Sequence, residues 1–294
     1  MSSNLMRYRF GDANPLKVPW KLANAFNIGD FIYIDTADTV VTPADGTLYP
    51  GKAAGSFTWQ TAIADPTSAV TIAAAASPQG PGFTVAGAGY KVAYTYVTAD
   101  GLESGPNTLS AAMSTNANGI NVTGVAVPAG VVAVNWYVTT DGGAAGTLQL
   151  VAQTPYGAGL TIVGPPPSDA PAPPAASSLS ATLLSQVAFA KKCVGVSAQY
   201  YDGVTAAIGL KDGYFRVDSG GVFDMGCASA TFNDGDLVGL AKDTGNTLNP
   251  QSVVAVTLAH KAAAIGVVRQ GGATLTTVRV ELFSNKLRVS QVKF

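Results

Sequence analysis

Phe26-Asn27-Ile28-Gly29-Asp30-Phe31-Ile32 and Phe232-Asn233-Asp234-Gly235-Asp236-Leu237-Val238 are two versions of one phrase. In each, a Gly-Asp turn feeds an apolar strand. The Asp side chain is the natural cap of such a turn, because its oxygen accepts from nearby N–H groups. Ile265-Gly266-Val267 follows the second copy, and its counterpart after the first is Val194-Gly195-Val196. The gap after the first copy is longer by roughly one domain and its linkers. The flanks therefore read as one scaffold, interrupted by an insert.

Composition gives the same division. The chain has 294 residues, 47% hydrophobic and only 12% charged, against about 25% charged in a typical soluble domain. Between positions 62 and 176 the charged side chains are Asp65, Lys91, Asp100, Glu103, Asp141 and Asp169, a single base against five acids. The right edge of this segment is marked by Pro165-Pro166-Pro167 and Pro171-Ala172-Pro173-Pro174, runs that favour a stiff polyproline spacer. With 17 basic and 18 acidic residues the chain lacks the cationic excess that phosphate binding needs, so nucleic acid is not an expected partner. Its longest apolar stretch, Ala69–Ala76, is too short to span a bilayer, and no apolar leader opens the sequence, so no membrane is expected either.

Strand signals outweigh helix signals. Val132, Val134, Trp136 and Val138 alternate with Ala133, Asn135, Tyr137 and Thr139, a period of two that buries one face and leaves one of Trp136 and Tyr137 outside. Val92–Thr98 fits a core strand, and turns follow at Ala99-Asp100-Gly101 and Asp141-Gly142-Gly143. Phe215–Val217 and Val222–Met225 read as a hairpin across Ser219-Gly220-Gly221. Only 180–194 carries a helical spacing, through Leu183, Leu184, Val187 and Ala188.

Catalytic chemistry is thin. A single histidine, His260, excludes a multi-His metal site within one chain, and no nucleophile elbow surrounds Ser252 or Cys227. Cys193 and Cys227 sit in apolar contexts and read as buried thiols. Asp30 and Asp236 read as turn caps rather than an acid–base pair. No catalytic residue, cofactor site or metal site is assigned, and the chain is expected not to be an enzyme.

Two resemblances emerge from these residues. Gly89-Tyr90-Lys91-Val92-Ala93-Tyr94-Thr95-Tyr96-Val97-Thr98, then Gly101-Leu102-Glu103-Ser104 and Val134-Asn135-Trp136-Tyr137-Val138, resemble the immunoglobulin or fibronectin-III-like modules of phage structural proteins. The antibody Cys…Trp…Cys core is missing. The two Gly-Asp phrases, Gly220-Gly221-Val222-Phe223-Asp224-Met225 and Val278-Arg279-Val280-Glu281-Leu282-Phe283 resemble the head-decoration, or cement, proteins of tailed bacteriophages. That resemblance implies an all-β chain: a discontinuous β-barrel, β-tulip-like scaffold with one short helix, plus an inserted immunoglobulin-like β-sandwich. The corresponding boundaries are an N-terminal capsid-binding arm at 1–22, a scaffold at 23–62 and 177–294, the insert at 67–164 and a Pro-rich linker at 165–176.

It also implies a virion structural protein on the outer capsid surface, assembled in the host cytoplasm, with the insert projecting outward. Its partners would be the major capsid protein and itself, as a homotrimer or a dimer. The alternative is a tail or fibre adhesin whose immunoglobulin-like module binds a host-surface glycan. The residues expected to meet the capsid are Arg7, Tyr8, Arg9, Phe10, Lys17, Trp20 and Lys21, where cations and aromatics interleave. Pro15 and Pro19 oppose regular structure there, so this arm is expected to be mobile until bound.

Overall fold

The computed structural model describes residues 7–10, 15–21, 23–42, 46–76, 83, 89–113, 119–140, 142–201 and 213–283. Strands make up 44% of the described residues and helix 11%, so the all-β class expected from the sequence is the one observed. In chain order the elements are β1 (Arg7–Phe10), β2 (Pro15–Pro19), β3 (Phe31–Ile34), β4 (Val40–Thr42), β5 (Gly46–Leu48), β6 (Gly51–Ala53), β7 (Ile72–Ala74), β8 (Val92–Thr98), β9 (Ile120–Val122), β10 (Val131–Val138), β11 (Gln149–Pro155), β12 (Leu160–Ile162), helix α1 (Ala181–Lys192), β13 (Cys193–Ser197), β14 (Tyr214–Asp218), β15 (Val222–Phe232), β16 (Leu237–Lys242), β17 (Leu248–Val256), β18 (Gly266–Gln270) and β19 (Gly272–Leu282). They form two compact units: Met1–Gln60 with Ala181–Phe294, and Thr61–Ser180.

The first unit is a duplication. Its second repeat closes a five-stranded barrel in the order β15-β17-β16-β18-β19, with β19 returning to β15. Its first repeat is a five-stranded sheet, β2-β14-β13-β3-β6. The pairings coincide residue by residue. Phe31 faces Val196 as Leu237 faces Val267, and Ile32 faces Gly195 as Val238 faces Gly266. Val196 faces Asp218 as Val267 faces Glu281.

The Gly-Asp turns coincide as well. The Asp30 carboxylate accepts the Asn27 N–H at 2.7 Å, and the Asp236 carboxylate accepts the Asn233 N–H at 2.7 Å. Gly29 and Gly235 take φ of 88° and 91°, where a side chain would be strained. Ser197 N–H donates to Asp30 O and Val268 N–H to Asp236 O, both at 2.8 Å.

Each repeat has its own apolar interior. Val18, Phe26, Ile32, Ile34, Val194, Phe215 and Val217 fill the first. Phe223, Met225, Val238, Leu240, Val268, Val278 and Val280 are buried in the second. Burying a side chain of this size contributes about 1.5–3 kcal/mol, which is why alternate positions of these strands are apolar. Helix α1 places Val187, Phe189 and Ala190 inward, and Gln186 Nε2 donates to Leu240 O at 2.6 Å. Lys191 and Lys192 close its last turn, where cations suit the helix dipole.

Two expectations are corrected here. The 214–225 stretch is not a hairpin: β14 belongs to the first repeat and β15 to the second, so Ser219-Gly220-Gly221 is the crossing between them. Nor is the N-terminal segment without regular structure. β1 pairs with β15, Tyr8 facing Phe223, and β2 pairs along its whole length with β14. The two prolines fit because β2 is an edge strand with Pro at each end, where a missing N–H leaves no central ladder bond unmade.

The second unit holds two three-stranded sheets, β11-β10-β8 and β12-β9-β7. Trp136 fills the interior at 0% exposure, and its Nε1 donates to Thr154 Oγ1 at 2.8 Å. Tyr137 is buried too, at 2% exposure, against the expectation that alternation leaves one of the pair outside. The reason is a second cover. Tyr137 packs with Ala93 and Leu148 on the other face, with Leu109 and Leu150 alongside.

The free edge of β8 is closed by an irregular segment rather than by a strand. Ser104, Asn107 and Ser110, three residues apart, each donate a backbone N–H to Tyr96 O, Tyr94 O and Val92 O. Their side-chain oxygens accept the N–H groups of the same three residues at 2.6–2.9 Å. A side chain thus completes what a strand would supply, and the edge is no longer a template for aggregation. The Pro-rich run is not free-standing either: Pro171 O accepts from Leu150 N–H at 2.9 Å, and Ser168 O accepts from Gln149 Nε2 at 3.1 Å.

Candidate partner-binding surface

Strand β2 carries the clearest candidate. Lys17 lies exposed on this edge, directly opposite Arg216 of β14. Like charges facing each other across a ladder are destabilising. Asp218 offsets part of this, accepting from Arg216 Nε at 2.9 Å. Lys17 has no ion-pair partner among the described residues. The edge therefore presents a cationic pair, one member compensated, on the outermost strand of its sheet among the described residues.

The other expected contact residues are distributed differently. Lys21 is engaged within the chain, 2.6 Å from Asp38, which Lys52 also approaches at 3.0 Å. These two lysines hold the Asp38 carboxyl well below the usual range. Trp20 packs edge to face on Tyr201, with ring centroids 4.8 Å apart. Its buried indole N–H has no hydrogen-bond partner among the described residues. The backbone of Arg7, Tyr8, Arg9 and Phe10 forms β1; their side chains lie outside the described residues. Of the seven, Lys17 is placed outward on an edge, while Trp20 and Lys21 serve the scaffold's own packing and ion pairing. Arg216, which completes the cationic edge, escaped the sequence reading because its register opposite Lys17 is a long-range fact.

The second unit contains a buried polar cluster. Glu103 Oε1 accepts from Asn135 Nδ2 at 2.9 Å, from Tyr137 OH at 2.6 Å and from the Thr95 hydroxyl. Burial, and then the neighbouring carboxylate, push the Tyr137 phenol up. Three donors on one oxygen make this a structural knot, with each buried polar group satisfied by another. The same unit displays Tyr156 at a turn, 70% exposed with φ of 48°.

Asp30 is buried and its carboxyl is raised by that burial, although Asn27 and Gln251 donate to it. Asp30 and Asp236 occupy equivalent turns, each holding its own Asn, and do not form an acid–base pair. His260 Nδ1 lies 3.2 Å from Thr257 Oγ1 within a 3-10 turn. Cys193 is buried; Cys227 is half-buried, and burial raises its thiol. Among the described residues no cluster of three or more His, Cys, Asp or Glu side chains is placed to hold a metal ion. No helix among them is long and apolar enough to cross a membrane. Comparison with protein-family models, curated proteins and solved structures finds no match to this chain.

Proposed function

We propose that this chain is a virion structural protein of the cement type, which binds the outer surface of a phage head and joins neighbouring capsid subunits. The observation that carries this reading is the edge of β2, the outermost strand of its sheet among the described residues, where Lys17 and Arg216 stand opposite each other. Such an edge fits an acidic protein surface, since carboxylates would relieve the like-charge contact and a partner strand would take up the open ladder. A rigid β scaffold suits the role, because a protein that binds only the assembled shell stabilises it by linkage, and repeated copies add avidity.

Co-sedimentation with purified heads lacking decoration tests the reading. Wild-type protein should pellet with the heads and raise their resistance to heat, and Lys17→Glu with Arg216→Glu should bind at least tenfold more weakly. Wild-type protein that stays in the supernatant at every concentration would remove the cement reading. The adhesin reading draws on a different observation, the exposed Tyr156 held in a strained turn of the second unit. Electron microscopy placing the protein on the tail, with Tyr156→Ser abolishing attachment to cells, would favour it instead.

A further inference from the structure

The second unit holds a crevice of about 390 Å³ beside strand β8. Tyr94 and Tyr96 form its floor, and its walls are two Pro-containing segments without regular structure, Ala64–Ser68 and Ala126–Pro128. Both walls are fixed. Asp65 Oδ1 accepts the Gly105 N–H at 3.1 Å, and Ser68 O accepts from Asn107 Nδ2 at 2.8 Å. On the other side Val125 N–H donates to Gly157 O at 2.8 Å and Val131 N–H to Pro128 O at 3.2 Å. A ligand entering here meets a preformed site and has little chain to order.

The hydrogen-bonding character of the crevice is one-sided. Tyr94 packs against Trp136 with ring centroids 5.5 Å apart, and its phenol donates to that of Tyr96. Tyr96 in turn donates to Ala126 O at 3.3 Å. Both phenol hydrogens are thus committed, and the pair offers oxygen lone pairs. Burial, then the neighbouring Tyr96, push the Tyr94 phenol up to about 12, so it keeps its proton at neutral pH. Pro66 and Pro128 have no N–H to give. Asp65 is exposed at the rim and adds a carboxylate without an ion-pair partner among the described residues. No base lines the crevice, and the unit has only Lys91 against five acids. The two rings are 4% and 9% exposed, so they present hydroxyl groups rather than faces, and a sugar ring finds no stacking platform.

A ligand for this site must bring donors and positive charge on an apolar stem. We propose that the crevice docks a lysine side chain of a partner protein, its ammonium donating to the Tyr94 oxygen and the Asp65 carboxylate while its methylenes lie along Pro66, Val127 and Pro128. A lysine head carries three donors and no acceptor, the complement of this lining. Its stem covers apolar surface while the head stays among polar groups. The acidic surplus of the unit draws a basic partner surface toward the crevice. The site lies wholly within the second unit, so the inference depends neither on the cement reading nor on Tyr156.

The test titrates Nα-acetyl-lysine N-methylamide into the isotope-labelled full chain and follows the amide resonances. Shifts should saturate and centre on Ser68, Gly105 and Val127. The same compound acetylated at Nε keeps the stem and loses the charge, and it should bind about tenfold more weakly. Asp65→Asn retains an acceptor for the Gly105 N–H and should weaken binding of the lysine compound about fivefold, since a neutral acceptor replaces a charged one. Tyr94→Phe removes only the hydroxyl and should weaken it about threefold. Tyr156→Ser should bind as wild type does. Amide spectra of the variants, unchanged away from the crevice, would confirm that they fold. The proposal is overturned by shifts that do not saturate or that centre elsewhere, by equal binding of the acetylated compound, or by undiminished binding to Asp65→Asn. Glucosamine binding more tightly than the lysine compound would overturn it too, and would make the partner an amino sugar.

Discussion

Gly195 and Gly266 occupy the same place in the two repeats, and a Cβ on either would come within 3.0 Å of a backbone carbonyl: Asp218 O for Gly195 and Glu281 O for Gly266. Those two acids are themselves equivalent in register. The glycines therefore mark a close approach of neighbouring strands that both repeats require.

Alanine at either position should be costly, because the obstacle is backbone and cannot swing aside. Gly195→Ala should destabilise the first unit by about 2–4 kcal/mol, and Gly266→Ala by somewhat less, since Gly195 also takes φ of 141°. Urea midpoints would check the order. Equal and negligible effects would mean that the two approaches relax freely.

The pH dependence of stability has two opposing contributions. Burial raises the Asp30 carboxyl, so the folded chain binds that proton more tightly than the unfolded chain. Ionised Asp30 then costs stability at neutral pH, and the cost fades as pH falls through the raised value toward 3.8. Asp38 acts the other way: its stabilisation by Lys21 and Lys52 is complete above 3.8 and is lost as pH falls below that. Asp30→Asn should be no less stable than wild type near pH ~7, with wild type gaining on it toward pH ~4. Parallel curves for the two proteins would show that Asp30 titrates in the ordinary range.

Tyr156 and Gly157 form the centre of a turn closed by Ala158 N–H on Pro155 O at 3.0 Å, with φ of 48° and 73°. Positive φ at both central residues is the pattern that favours Asn-Gly. Tyr156→Asn should raise the stability of the second unit by about 0.5–1 kcal/mol, read from its thermal midpoint. A loss of stability would show that the exposed ring makes contacts that outweigh the backbone strain.

Glu103→Ala should leave Asn135, Tyr137 and Thr95 facing a void without their common acceptor. The expected cost is about 2–4 kcal/mol, confined to the second unit. Glu103→Gln retains an acceptor oxygen and should recover at least half of it. Hydrogen exchange at the β8 and β10 amides would localise the effect.

The second unit should also fold alone. Residues 61–180 expressed by themselves should give dispersed amide resonances. The remainder, with Gln60 joined to Ala181 through a few glycines, should keep its cooperative unfolding. A molten fragment would show that the division into units is not one of folding.

The repeat was legible because its signals are local. A Gly that must take positive φ and an Asp that must reach back three residues are conditions set within one turn, and they survive in both copies. The helix at 181–192 and the strand at 92–98 were legible for the same reason. The rest depends on what lies opposite. Pro15 and Pro19 argue against a strand unless it is an edge, and only the pairing with β14 reveals that β2 is one. Ser219-Gly220-Gly221 can turn a chain back on itself or pass it to a new sheet with equal ease. Alternation along β10 predicts one wet face, but Glu103, Leu109 and the segment they belong to cover it from a distance in sequence. Lys17 is visible as a cation, whereas its meaning comes from Arg216 across the ladder.

The two ends of the second unit meet, with Ile63 N–H donating to Leu179 O at 3.1 Å. That clasp bears on how the chain reaches its native state during synthesis. Strands β3 and β6 emerge early, yet β3's other neighbour, β13, lies beyond the whole insert. An unstructured loop of that length would slow the search for β13. Once the insert has folded, its ends are held together, and the distance the scaffold must close shrinks to that of a short turn. The insert would thus act as a timer as well as a module: the β3–β6 pair waits with one side of β3 open until the insert folds, and its folding then delivers β13 to that side.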